Sequence, residues 1–272
     1  MTGDPDVGAR PELLRDLDRD TGWTLLVEGA EQSYVDVVDA THLEFEYMQH
    51  IALTVDAVFE DERPLSTLHL GGGACTLARW IAATRPGSEQ LVVEASQDIL
   101  DAVRPLGDIR GARIAHDDAV AVLDAEASDS RDLVIWDLYD GPRVVTSSLT
   151  LRIFGEMRRV LRDGGLALLN VSDATPFDLV RPVAAGLRVT FDDVTLLSEP
   201  STLRGRRSGN CVLVGASRPL PVPALRRRAA GVPARARVLW GRSLVDFVGG
   251  AVPPTEERPL PEPDESVGRG FL

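Results

Sequence analysis

A chain of 272 residues, 44% of them hydrophobic, can bury one sizeable core with short appendages, and its length allows one or two domains. Its net charge is −13 and all 29 basic residues are arginine, which argues against nucleic acid or an anionic membrane as partner and excludes a lysine Schiff base. Two cysteines cannot build a disulfide framework, no Cys/His cluster has metal spacing, no apolar run approaches the ~18 residues of a membrane span, and the Asp- and Arg-rich lead lacks a secretory h-region. A cytoplasmic, reduced, metal-free protein is the expectation, and its acidic balance suits a cationic small substrate.

After the polar lead, residues 23–28 (WTLLVE) read as a strand, Gly29-Ala30 as its turn, and 33–39 (SYVDVVD), alternating with period two, as the returning strand of a small hairpin. Over 43–59 apolar residues recur at helical spacing (Leu43, Tyr47, Ile51, Val55, Val58), with Asp39 or Thr41 as cap. From Leu65 strands and helices alternate. Strands are expected at 67–70, 91–94, 133–138 and 166–171, and helices at 76–84, 97–103 and 149–161, the last stopped by Asp163-Gly164-Gly165. The pattern predicts an α/β, Rossmann-like fold: a mostly parallel sheet with helices on both faces and the hairpin as an N-terminal extension. Two more strands, 189–197 and 211–215, have no evident helix between them and read as an antiparallel hairpin at the sheet edge. Beyond Pro219 proline density rises, so a short helix around 243–248 and a disordered tail over 253–272 are expected. The division that follows is 1–62 (tail, hairpin and gating helix), 63–218 (nucleoside-binding catalytic domain) and 219–272 (helix and Pro-rich tail).

Strand 67–70 runs into Gly71-Gly72-Gly73, where a helix begins. Glycines there let the backbone approach a ligand, and the helix start offers unpaired N–H groups. Glu94 closes the next strand, where a carboxylate accepts from two ribose hydroxyls. Thr76 stands where a dinucleotide fingerprint wants its third glycine, which counts against NAD and toward ligands of the adenosylmethionine kind. Residues 116–119 (HDDA) fall where a further strand, after helix 97–103, should end, and Asp118 is a candidate for the adenine amino group. The apolar strand 133–138 ends in Asp137-Leu138-Tyr139-Asp140-Gly141, two carboxylates three apart at a strand's carboxyl end, which suit a cation. Plainer readings stay open: a tight glycine turn, Asp140-Gly141 as a turn former, Asp137 as a strand-end cap. Trp80, Trp136 and Met157 read as core, His42, His50 and His69 as structural, and Cys75 as small apolar filling.

These residues resemble the spermidine synthase family of aminopropyltransferases over most of 23–215. Residues 25–32 (LLVEGAEQ) are similar to the family's N-terminal L-x-L-D-G-x-x-Q hairpin, and 45–49 (FEYMQ) to its Tyr-Gln helix. The glycine loop, Glu94, Asp118 and the Asp137/Asp140 pair follow in the family's order. The resemblance implies decarboxylated S-adenosylmethionine as co-substrate, no permanently bound cofactor, and a homodimer or homotetramer. It implies that Gly71, Gly72, Gly73, Glu94 and Asp118 hold the nucleoside, that Asp137 takes the proton of the attacking amine, and that Tyr47, Asp140 and Gln32 help hold the amine. An alkylammonium pKa near 10.4 makes freeing the nitrogen at pH 7 cost about 4–5 kcal/mol, which a placed carboxylate offsets. Two positions depart from the pattern: Ala74 where the glycine loop continues with Asp, and Met48 where Gln follows the helix Tyr. Both predict a less polar acceptor pocket. The same fold leaves open an S-adenosylmethionine-dependent methyltransferase, with Arg204, Arg206 and Arg207 for the methionine carboxylate, and a non-catalytic nucleoside-binding relative.

Overall fold

The structure, a computed structural model, describes residues 10–263, so the start of the polar lead and the 264–272 part of the expected disordered tail lie outside the described residues. The chain opens with three antiparallel strands, β1 (Glu12–Arg15), β2 (Gly22–Val27) and β3 (Ala30–Asp36), one more than the expected hairpin. Glu28 and Gly29 both take left-handed backbone between β2 and β3, which a two-residue hairpin turn of this hand requires. Helix α1 (Glu46–Val58) follows, starting from Phe45 with no side-chain cap. Asp39 and Thr41, the expected caps, instead close a separate turn in which Asp39 accepts from the Thr41 N–H.

The remaining elements build one eight-stranded sheet. In chain order they are β4 (Ser66–Leu70), α2 (Thr76–Thr84), β5 (Glu89–Glu94), α3 (Gln97–Val103), β6 (Ala112–His116), α4 (Ala119–Ala125) and β7 (Arg131–Trp136). A small ribbon, β8 (Tyr139–Asp140) and β9 (Arg143–Val144), leads into α5 (Leu151–Val160), β10 (Leu161–Asp173) and α6 (Val180–Thr190). Then come β11 (Asp193–Ser198), α7 (Pro200–Leu203), β12 (Gly209–Ala216), α8 (Val222–Gly231), β13 (Arg237–Trp240) and α9 (Arg242–Val248). The spatial order is β13-β11-β12-β10-β7-β4-β5-β6, parallel from β10 to β6, with β12 antiparallel to both of its neighbours. From β4 the chain winds outward through β5 and β6, then returns to β4's other side as β7. The connections that leave the carboxyl ends of β4 and β7 therefore run apart, and a crevice opens above these paired strand ends.

Alternation along the strands sorts the core into two layers. Leu133, Ile135, Leu166, Leu168, Val212 and Val214 pack toward α1, α2 and α8. Val134, Trp136, Ala167, Leu169, Val171 and Leu213 pack toward α4, α5, α6 and α9. Helices thus cover both faces, as a mostly parallel sheet requires. Trp80, Trp136 and Met157 are all buried. Among the described residues no helix is long and apolar enough to cross a membrane.

The C-terminal third differs most from expectation. Residues 180–190, partly read as a strand, form α6, because Val180, Val183, Ala184 and Leu187 share one buried face. Its start is capped from a distance: the Asp173 carboxylate accepts from the N–H groups of Leu179 (3.0 Å) and Val180 (2.8 Å). The β11–β12 pair is antiparallel, but β13 pairs with β11 outside it, so the pair is not the sheet edge. The stretch after Pro219 holds α8 and β13 as well as the expected helix. Residues 253–263, expected to be disordered, lie against α5: Leu151 N–H donates to the Pro254 carbonyl, Arg152 pairs with Glu256, and Leu260 is buried.

Candidate active site

A cavity of about 770 Å³ opens at the carboxyl ends of β4, β5 and β7, roofed by α1 and the β8–β9 ribbon. On one side it is walled by the glycine loop. Gly71 has φ of 102°, and a Cβ there would sit 2.2 Å from the Asp137 carbonyl oxygen, so only glycine lets β4 and β7 end this close together. Gly72 and Gly73 donate their N–H groups to Glu94 Oε2 at 3.1 and 3.2 Å, while Ser96 N–H donates to Oε1. The Glu94 carboxylate is thereby aimed across the mouth of the loop. Asp118 lines the same side; its side chain caps α4 by accepting from Ala121 N–H at 2.8 Å.

Across the cavity, Asp137 sits at the end of β7. The Tyr47 hydroxyl donates to its Oδ2 and the Asn170 amide to its Oδ1, each at 2.9 Å. Burial pushes the Asp137 carboxyl up to about 6, against the lowering effect of these two bonds, with Glu94 adding a smaller upward push. Burial, with Asp137 beside it, holds the Tyr47 hydroxyl well above its ordinary value, so it stays a donor. Asn170 did not figure among the sequence candidates. The signal for it was the parity of β10: Leu166, Leu168, Asn170 and Ser172 share the face toward α1, and that apolar row turns polar where it reaches the cavity. Asn210, opposite Ser172 on β12, lines the same floor. Asn170 Oδ1 and Ser172 Oγ are buried there without partners among the described residues.

The remaining candidates divide. Asp140 lines the cavity from the β8–β9 ribbon but is exposed. Gln32 also lines it, yet its amide nitrogen is taken: it donates to the Gly141 carbonyl at 2.7 Å, clasping the ribbon to the N-terminal sheet. Met48 is a buried part of the lining. Gly73 and Cys75 line the cavity, and Ala74 between them is fully buried among Leu25, Val35, Val103 and Leu106, of which Leu25 also lines the cavity. Burial lifts the Cys75 thiol to about 11 and lowers the His69 imidazole, bonded to Gln90, to about 4, so both remain neutral. Among the described residues no group of three His, Cys, Asp or Glu side chains has metal-site geometry. Of the three arginines considered for an anion, Arg207 reaches the lining and is paired with Glu199 and Glu46; Arg204 and Arg206 are exposed.

No protein-family model and no curated protein matches this sequence. Solved structures do. A probable spermidine synthase from Corynebacterium glutamicum ATCC 13032 superposes with a TM-score of 0.82 at 30% identity, covering 90% of this chain and 92% of its own. Spermidine synthase from Thermotoga maritima gives a TM-score of 0.57 at 14% identity, over 80% of this chain and 73% of that one. Human methyltransferase-like protein 13 gives 0.52 at 18%, over 74% and 89%. The last two share the fold, which is Rossmann-like and of the methyltransferase type. The first shares nearly a third of its residues along almost its whole length, and on that ground the chain belongs to the spermidine synthase family of transferases.

Proposed function

We propose that the protein transfers an aminopropyl group from decarboxylated S-adenosylmethionine to an amine. The observation that carries this reading is Asp137: a carboxylate oriented by Tyr47 and Asn170, with its carboxyl at about 6, is ionised at neutral pH yet basic enough to take an ammonium proton. The freed nitrogen attacks the propyl carbon beside the sulfonium. The new C–N bond forms as the C–S bond breaks, and the electron pair leaves on sulfur as neutral methylthioadenosine. Glu94 is the partner for the ribose hydroxyls, Gly71 to Gly73 bring the backbone against the nucleoside, and Asp118 takes the adenine side. Tyr47 holds the base, and Asp140 and Gln32 border the amine's approach.

Charge supports the decarboxylated co-substrate over the intact one. Besides Asp137, the cavity is lined by Glu31, Glu44, Glu46, Glu94, Asp118 and Asp140. Arg207 is the one arginine among its described lining residues, and two glutamates occupy it. A methionine carboxylate finds mostly repulsion here, whereas a sulfonium and an ammonium find attraction. The test is release of methylthioadenosine from decarboxylated S-adenosylmethionine in the presence of a panel of amines. Asp137→Asn should lower turnover about 100-fold or more while leaving methylthioadenosine binding nearly unchanged. Equal turnover in variant and parent removes Asp137 from the chemistry.

A further inference from the structure

The eight-stranded sheet ends at β6, which pairs only with β5. Along such a strand successive residues turn their backbone groups alternately toward the neighbour and away from it. Gln90 N–H donates to the Gly111 carbonyl and Asp117 N–H to the Glu94 carbonyl. The backbones of Gly111, Arg113, Ala115 and Asp117 therefore face β5, and those of Ala112, Ile114 and His116 face outward. Ala112 N–H turns back to the Ile109 carbonyl at 3.1 Å, whereas the N–H and C=O groups of Ile114 and His116 have no backbone partner among the described residues. No described element covers them: Arg113 and His116 are exposed, and so is Ile114, by 40%. The strand holds no proline and no bulge, two of the devices that blunt an open edge. Its one permanent charge, Arg113, has no side-chain partner among the described residues, and Asp117 just beyond the strand is exposed.

We infer that a second copy of this chain docks on β6, its own β6 running antiparallel about a two-fold axis at Ala115, so that the two sheets become one. The register follows from where the free groups stand. About Ala115, Ile114 of each copy lies opposite His116 of the other, and their backbone bonds use every outward N–H and C=O of these two residues. About Ile114 instead, His116 would lie opposite Ala112, whose N–H is already committed to Ile109. The Ala115 axis also sets Arg113 of each copy directly opposite Asp117 of the other, on one face of the joined sheet, where opposite charges stabilise a pair. Side-chain charge thus selects the register that the backbone selects. The exposed Ile114 side chain is covered in the same step. A net charge of −13 opposes the approach of two copies, and the two Arg113–Asp117 pairs offset part of that repulsion at the seam. The inference concerns assembly and is independent of the transfer chemistry.

The test is oxidative cross-linking of the full chain carrying Ala115→Cys. That residue faces its own copy across the axis as a non-hydrogen-bonded pair, with Cα atoms about 4.5 Å apart, within disulfide range. The variant should give a covalent dimer that reverts on reduction. The parent, whose Cys75 and Cys211 are buried, and Val189→Cys, exposed on α6, should give none. Sedimentation velocity supplies the second readout. The parent should sediment as an assembly whose mass Ile114→Pro halves. That proline removes an outward N–H and leaves the β5 ladder intact, so circular dichroism should be unchanged. Arg113→Glu should weaken association about tenfold, and adding Asp117→Arg should restore it. A monomeric parent, an assembly unaltered by Ile114→Pro, or cross-linking at Ala115 no greater than at Val189 overturns the inference.

Discussion

At Asp137 four influences meet: burial, and more weakly Glu94, raise its carboxyl, while Asn170 and Tyr47 stabilise the ionised form. On the proposed reading Asp137 acts as a base only when ionised, so the acid limb of the turnover profile should rise through pH of about 6. Tyr47→Phe removes a bond that lowers this value, so the midpoint should move to higher pH. An unmoved midpoint, with turnover otherwise measurable, detaches the limb from Asp137. Ala74 makes the opposite point about a single position. Read along the chain it sits in the glycine loop; in the fold its methyl group is sealed among Leu25, Val35, Val103 and Leu106. Ala74→Asp buries a charge without a partner and should destabilise by about 3 kcal/mol or more, measured by urea unfolding. A stable variant with new activity on putrescine contradicts this placement.

Elements position the site by where they end. The strand–glycine–helix sequence at β4 and α2, and the acid at the end of β5, were legible because special residues stand at fixed places: glycines where backbones nearly touch, a carboxylate at a strand terminus. The floor was harder to read. Asn170 and Ser172 carry meaning only once β10 is known to lie beside β7, with that face turned to α1. Likewise Pro182 and several β-branched residues disguised α6, although proline is tolerated in a helix's first turn. Its cap, Asp173, lies six residues before Leu179, beyond the reach of a local capping rule. The clasp from Gln32 to Gly141 joins two elements more than a hundred residues apart and has no local signature. Gln32→Ala should speed amide exchange in the β8–β9 ribbon and raise the acceptor KM about fivefold, the value of one hydrogen bond near 1 kcal/mol, with global stability little changed. Unaltered ribbon exchange means that other contacts hold it.

Over the whole molecule, charge is sorted by place. The chain is acidic in sum, yet ten arginines and no acidic residue stand between Glu199 and Asp246, while the cavity is lined with carboxylates. Net charge alone concealed this division, because it averages regions of opposite sign. The α/β alternation from Leu65 was enough to give the layered sheet. The C-terminal elements escaped because β13 is four residues long and α8 begins among prolines and continues as three successive arginines. The central claim, that this cavity takes a co-substrate without a carboxylate, is tested most directly by titration calorimetry of the parent with decarboxylated and with intact S-adenosylmethionine. Decarboxylated ligand should bind at least about tenfold more tightly, because the carboxylate of the intact one meets the acidic lining with Arg207 already paired. Equal or tighter binding of the intact ligand contradicts the account and favours methyl transfer.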